Sequence, residues 1–250
     1  MLQEKHIVIL ANSVRAKKYC VAGKEVSPKG NGKYDVGAWI RFADPNDAQG
    51  AVSYANTVCE VSNGLKRPAR PLDIVKATFT RSCGNLDHPE DYFFDPSQCW
   101  QIVGKLTHEN LSELQDTPQA LWHDGARANS VPAGYIRKMG KDAASLFLVK
   151  APKDWNFMFW KSQVPDFDNP SQMKVKQHRE LSFRFNGRYH DFSVTDPEFT
   201  KRHKIYDRMT DMHQLLKVSD STNVFFCLSL TPEFRGQHFK IAATVFELPA

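Results

Sequence analysis

Residues 179–194 read RELSFRFNGRYHDFSV, and their reading decides the fold class. Asn186-Gly187 favours a two-residue type I′ turn, because both residues take positive φ cheaply. That turn pairs 185 with 188, 183 with 190 and 181 with 192. Leu181, Phe183 and Phe185 then share a core face with Phe192 and Val194. Ser182, Arg184, Tyr189 and Asp191 fall on the other face, Arg184 opposite Tyr189. Turn chemistry and hydrophobic alternation agree, so this stretch predicts a β-hairpin.

The same signature recurs outward in both directions. IVIL (7–10), AWIRF (38–42), LDIVKATF (72–79), CWQIVGKL (99–106), SLFLVKA (145–151) and WNFMFW (155–160) precede the hairpin. NVFFCLSL (223–230) and FKIAATVF (239–246) follow it. These runs are rich in Ile, Val, Phe and Trp and are bounded by Gly, Pro, Asn and Asp, which predicts a mainly β chain. Helices are expected to be short: one over Asp47–Asn56, and one after Thr107 with Leu111 and Leu114 on its apolar side. A third starts at Asp196-Pro197, with Asp as cap and Pro at the first turn, and continues to about Met212. Residues 116–141 lack either period and read as a connecting segment between units 1–115 and 142–250. Trp122 and Tyr135 imply that this connection packs. No exact internal repeat is visible.

The totals are those of an ordinary globular chain: 250 residues, 41% hydrophobic and 24% charged. No apolar run nears the roughly 18 residues that span a bilayer, and Ile7–Leu10 is too short for the apolar core of an export signal. Five scattered cysteines (Cys20, Cys59, Cys83, Cys99, Cys227) without a CxxC pair argue against a zinc ribbon and fit a reducing, cytoplasmic setting.

Charge is the uneven feature. Between Ala11 and Lys33 stand six basic residues (Arg15, Lys17, Lys18, Lys24, Lys29, Lys33) and one acid, Glu25. Their difference, 6 − 1 = 5, equals the net charge of the whole chain, +5. A cationic loop there would face a polyanion, with Tyr19 as a stacking ring. A lysine-rich solvated loop has the same composition. A second cationic stretch holds Lys174, Lys176, Arg179, Arg184 and Arg188, interleaved with Tyr189. The two stretches are expected to meet in one positive track. Trp155, Phe157, Phe159 and Trp160 read as core and barrel lid, not as a stacking platform.

Order and spacing along nearly the whole chain resemble a bacterial family, the dual OB-containing domain proteins. The resemblance rests on ILANSVRAKKYCVAGKEV with GAWIRF, then PLDIVKATF, HPEDYFFD and QCWQIVGKL. SLFLVKAPKDWNF, FRFNGRYHDFSVTDPEF and FCLSLTPEFRGQHFKIAATVF complete it. It implies two OB-like barrels, whose faces and loops commonly hold oligonucleotides, and a setting in conflict or antiviral defence. One departure is His88-Pro89-Glu90-Asp91, where the resemblance expects a run like His-Gln-Pro-Glu-Asn.

The expected function is nucleic-acid binding, DNA or RNA, without catalysis or a cofactor. The contacts would come from Arg15, Lys17, Lys18, Tyr19, Lys24, Arg41, Lys174, Lys176, Arg184, Arg188 and Tyr189. Two alternatives stand beside it. One is a module docking onto a protein partner encoded nearby. The other is a nucleotide-sensing or metal-dependent enzyme around His88, Glu90 and Asp91, although HPEDYFFD matches no ligand spacing and reads as a capped loop. His203, His213 and His238 are scattered, and no GxSxG, GxGxxG or Walker A motif is present.

Overall fold

The computed structural model describes residues 2–15, 18–30, 33–61, 64–166, 169, 171–216 and 223–247, with the side chains of Arg15 and Lys141 outside that description. The first half contains β1 (Gln3–Arg15), β2 (Lys18–Gly30), β3 (Lys33–Ala43), α1 (Tyr54–Thr57), β4 (Val58–Glu60) and β5 (Lys66–Pro68). It continues with β6 (Asp73–Ser82), β7 (Asp91–Phe94), β8 (Gln101–Lys105) and α2 (Leu111–Leu114). Strands β1–β2–β3–β7–β6 close back onto β1, with every pairing antiparallel except β3 with β7. That is the strand order of a five-stranded Greek-key OB barrel. Alternation along the strands sends Ile7, Ile9, Val21, Ile40, Phe42, Val75 and Phe79 inward, and Trp100 closes the core against Phe42 at 4.3 Å between rings.

The second half contains β9 (Ser130–Pro132), α3 (Tyr135–Lys138), β10 (Leu146–Lys150), β11 (Asn156–Pro165), β12 (Met173–Phe185) and β13 (Arg188–Val194). After these come α4 (Pro197–Arg202), α5 (Ile205–Arg208), β14 (Gln214–Leu216), β15 (Val224–Leu230) and β16 (Gln237–Glu247). Its sheet runs β10–β15–β16–β13–β12–β11, again with one parallel pair, β13 with β16. β10 and β11 are two pieces of one broken strand, the first pairing with β15 and the second with β12. In the same way the start of β1 pairs with β6 and its end with β2. The break falls at Ala151-Pro152, where proline has no N–H to give a ladder. Phe157, Phe159, Leu181, Phe183, Phe192 and Phe226 fill this second core.

The two units share a third apolar cluster. Val8, Leu10, Ala22, Val26 and Ile74 point outward from the first barrel and pack with Leu146, Leu148, Phe225, Cys227, Ala243 and Phe246 of the second. Oligonucleotides commonly lie on strands 2 and 3 of an OB barrel. In the first barrel the outer face of β1–β3 is the one that the second unit covers.

The hairpin and the eight strand-forming runs around it stand where the sequence places them, with 185 opposite 188, 183 opposite 190 and 181 opposite 192. Three expectations change. The cationic loop is instead β2, an extended strand, because Val21 faces the barrel core while Ala22 and Val26 face the second unit. HPEDYFFD is a loop only to Glu90; Asp91–Phe94 form β7, whose Phe94 fills the core. Helix forms only at Tyr54 in the 47–56 stretch, and the one from Pro197 stops at His203, where Lys204 takes φ 50° before α5 begins. Asp196 does cap that helix, accepting from the N–H groups of Glu198 and Phe199.

Gly23 is set by close approach between strands. A Cβ there would lie 1.9 Å from the Val8 carbonyl oxygen and 2.9 Å from Ile7 Cγ2. β1 and β2 must separate to admit it, so Gly23→Ala is expected to cost about 3 kcal/mol or more in chemical denaturation, above the usual range for one added methyl group. A wild-type midpoint would contradict this close approach.

Candidate nucleic-acid interface

The outer face of β11–β12–β13 is the second barrel's counterpart of the covered surface. Since Phe157 and Phe159 point inward, Met158, Trp160 and Ser162 point outward, opposite Glu180, His178 and Lys176. β12 and β14 flank β11 on its two sides. The Trp160 indole is therefore held between two imidazoles, His178 stacked parallel at 4.5 Å and His213 tilted at 4.3 Å. The Ser162 hydroxyl lies 2.9 Å from His178 Nε2 and fixes that ring. Trp160 is thus an outward residue, contrary to its reading as core. The alternation in Asn-Phe-Met-Phe-Trp carries that information, and the run of aromatics obscures it.

Further along the face, Arg184 stands opposite Tyr189, both exposed; Arg188, opposite Phe185, lies on the core side with His190 and Phe192 and is exposed only because it stands at the barrel's end beside the turn. Lys176 is exposed, while Lys174 is half exposed and pairs with Asp166 at 3.1 Å. The acids on this face are partly occupied. Asp191 accepts from the Ser182 hydroxyl at 2.7 Å, and burial, then Asp191, pushes the Glu180 carboxyl above its usual range. The result is a surface with exposed cations, ring edges and few free carboxylates.

The N-terminal candidates are arranged differently. Lys17 lies outside the described residues, and Arg15 is described only by its backbone, paired with Lys18 across the β1–β2 turn. Lys18 is bound to Asp47, and Tyr19 sits 5.9 Å from the exposed Tyr54 ring. Lys24 and Arg41 are corrections, since both are buried and spent internally. The Lys24 ammonium donates to the Leu114 carbonyl at 2.7 Å and to Asp116 at 2.5 Å. Among the described residues no hydrogen bond, ion pair or ring contact joins 15–33 to 174–189.

Arg41 belongs to a polar lock between the barrels. Its guanidinium donates to His88 Nδ1 (2.5 Å), Asp91 (3.0 Å) and the hydroxyls of Ser145 and Ser229 (both 3.0 Å). Glu90 accepts from the Ser145 N–H and hydroxyl, both at 2.7 Å, and Asp87 accepts from Arg137. The HPED segment therefore holds two barrels together, and each carboxylate already has a partner. Among the described residues no three His, Cys, Asp or Glu side chains are grouped to hold a metal ion.

Buried imidazoles give this fold a pH dependence. Burial, then Arg41 and His238, hold His88 well below the ordinary histidine range; burial, then Lys240, lowers His190 to about 3. Both stay neutral when folded and take up a proton when unfolded near pH 6.5. The unfolded chain then binds more protons, so stability is full above pH 6.5 and falls as pH drops below it. Between pH 7.5 and 5.5 the two should together remove roughly 2–3 kcal/mol, read by urea denaturation at each pH. Equal stability at both would contradict neutral burial.

No helix among the described residues is long and apolar enough to cross a membrane. A comparison with curated proteins finds no match. The family description "dual OB-containing domain" matches residues 5–245, the span over which two barrels of one strand order pack together. The chain belongs to the dual OB-containing domain family.

Proposed function

We propose that this protein binds single-stranded nucleic acid, DNA or RNA, on the β11–β12–β13 face of its second barrel. The observation that carries the reading is the asymmetry between the units. The first barrel's equivalent face is covered by the second, whereas the second barrel's face is open and lined by Lys174, Lys176, Arg184 and Tyr189, with Arg188 beside the hairpin turn on the core side of β13. Cations beside stacking rings are the two elements of sequence-tolerant strand binding. Lys18 and Tyr19, at the start of β2, are a secondary contact, with Lys18 held by Asp47.

Affinity on such a face comes chiefly from phosphate contacts and falls steeply with salt. Four contacts to a single strand give a log–log slope near −0.7 per contact, or about a fiftyfold loss between ~50 and ~200 mM salt. Fluorescence anisotropy with short labelled DNA and RNA strands tests this. Absence of binding at the lower salt, or affinity independent of salt, overturns the reading.

A second reading has one observation in its favour. Leu215 of the edge strand β14 is exposed on the same face opposite Met158, Met212 is exposed just before that strand, and Met173 and Val175 are exposed on the reverse side of β12. A protein partner from a bacterial defence setting would use that apolar rim. Under this reading, Val175→Lys and Leu215→Lys abolish capture of the partner and leave strand binding unchanged.

A further inference from the structure

We propose that Arg188, His123 and the buried pair His190 and Lys240 form a receptor for a phosphate monoester, the terminal phosphate of a strand lying on the β11–β12–β13 face. The proposal rests on the strand-binding reading for its ligand and on four basic side chains for its site.

These groups run inward from the hairpin turn. Arg188 Nη1 lies 3.3 Å from His123 Nδ1, and the His123 and His190 rings meet edge to face with centroids 5.6 Å apart. Lys240 Nζ lies 3.1 Å from His190 Nδ1 and donates to the Ala128 carbonyl at 2.6 Å. Arg188 is exposed, His123 half-buried, and Lys240 only 1% exposed.

Among the described residues neither Arg188 nor Lys240 has a carboxylate within ion-pair distance. The nearby acids have other partners. Asp191 accepts from Ser182, and Asp124 accepts from the N–H groups of Ala126 and Arg127.

A buried ammonium held by one carbonyl and one imidazole is costly, and no carboxylate pairs with it directly. Burial lowers Lys240 to about 8 despite Asp124 and Asp191, and burial, then Lys240 and Arg188, lowers His123. Burial is the main cause of both shifts, and Lys240 and Arg188 add to it at His123. A phosphate monoester carries about −1.5 to −2 at neutral pH against −1 for a backbone diester, so a concentrated positive field selects it. Arg188 and His123 present their donors at the surface, while His190 and Lys240 act through the field without touching the ligand. The receptor lies on the core side of the β12–β13 hairpin, next to the Asn186-Gly187 turn, so a strand on the outer face reaches it where it passes that turn.

The test compares one short strand carrying a 5′-phosphate, a 3′-phosphate or hydroxyls at both ends, by anisotropy on the full chain. One phosphorylated end is expected to bind about tenfold tighter than the hydroxyl-ended strand, the size of one added charge-assisted contact. Arg188→Gln and His123→Gln should bring that ratio to one, and H123Q should keep the affinity for the hydroxyl-ended strand. A ratio of one in the wild type, or a ratio unchanged in both variants, overturns the proposal. If no strand binds, the strand-binding reading fails by itself, and inorganic phosphate then decides for the receptor. A saturable shift of the His123 imidazole resonances on phosphate titration supports a receptor for free phosphate-type ligands, and unmoved resonances overturn it.

Discussion

Replacing Arg41 by Met lowers the stability of the chain by about 3–5 kcal/mol, the range found when one member of a buried ion pair is removed. Methionine fills most of the volume of the side-chain stem, so the loss comes from polar partners. Asp91 loses its cation, and the hydroxyls of Ser145 and Ser229 lose a donor that reaches them across the barrel boundary. Burial opposes the charge on Arg41, while the carboxylates of Asp91 and Glu90 favour it. Lysine offers one ammonium where the guanidinium makes four contacts in a fork, so Arg41→Lys is expected to recover only part of the loss. Urea denaturation measures both variants. Because Arg41 ties the two barrels, its loss should also separate their unfolding into two transitions. A single transition at the wild-type midpoint would mean that the lock contributes nothing.

The second large effect concerns binding. The triple variant Lys176→Ala, Arg184→Ala, Tyr189→Ala should lose about two orders of magnitude in strand affinity at moderate salt. Stacking on Tyr189 contributes ~1–3 kcal/mol and two phosphate contacts contribute the rest. All three side chains are exposed, so the fold is retained and the hairpin register, set by Leu181, Phe183 and Phe192, survives. The salt slope should fall with the removed cations. The same substitutions at Lys24 and Arg41 would instead lower stability, since those side chains are buried between the barrels. Wild-type affinity in the triple variant would remove this face from the account.

Much of the fold was legible because β-structure has a local signature. The Asn186-Gly187 turn fixed one hairpin register, and apolar runs bounded by turn residues marked the other strands. β2 was hidden because its residues answer to tertiary contacts. Lys24 sits on a strand because Asp116 and the Leu114 carbonyl lie far along the chain. The repeated barrel left no visible repeat, because strand order is set by long-range pairing and the second barrel's first strand is cut at Pro152. The candidate site was half legible. Arg184 and Tyr189 followed from hairpin register, which puts Arg188 on the core side, whereas the His213–Trp160–His178 stack needs β14 to pair with β11, which no local pattern announces. The charge imbalance near the N-terminus misdirected the reading, because composition does not reveal which cations are already paired.

Hydrogen–deuterium exchange of the full chain, with and without a short single strand, tests the central claim most directly. Protection confined to residues 156–164 and 174–190, with β1–β3 unchanged, is the result this account predicts. Protection centred on the β1–β2 turn, with the second barrel's open face unaffected, would contradict it.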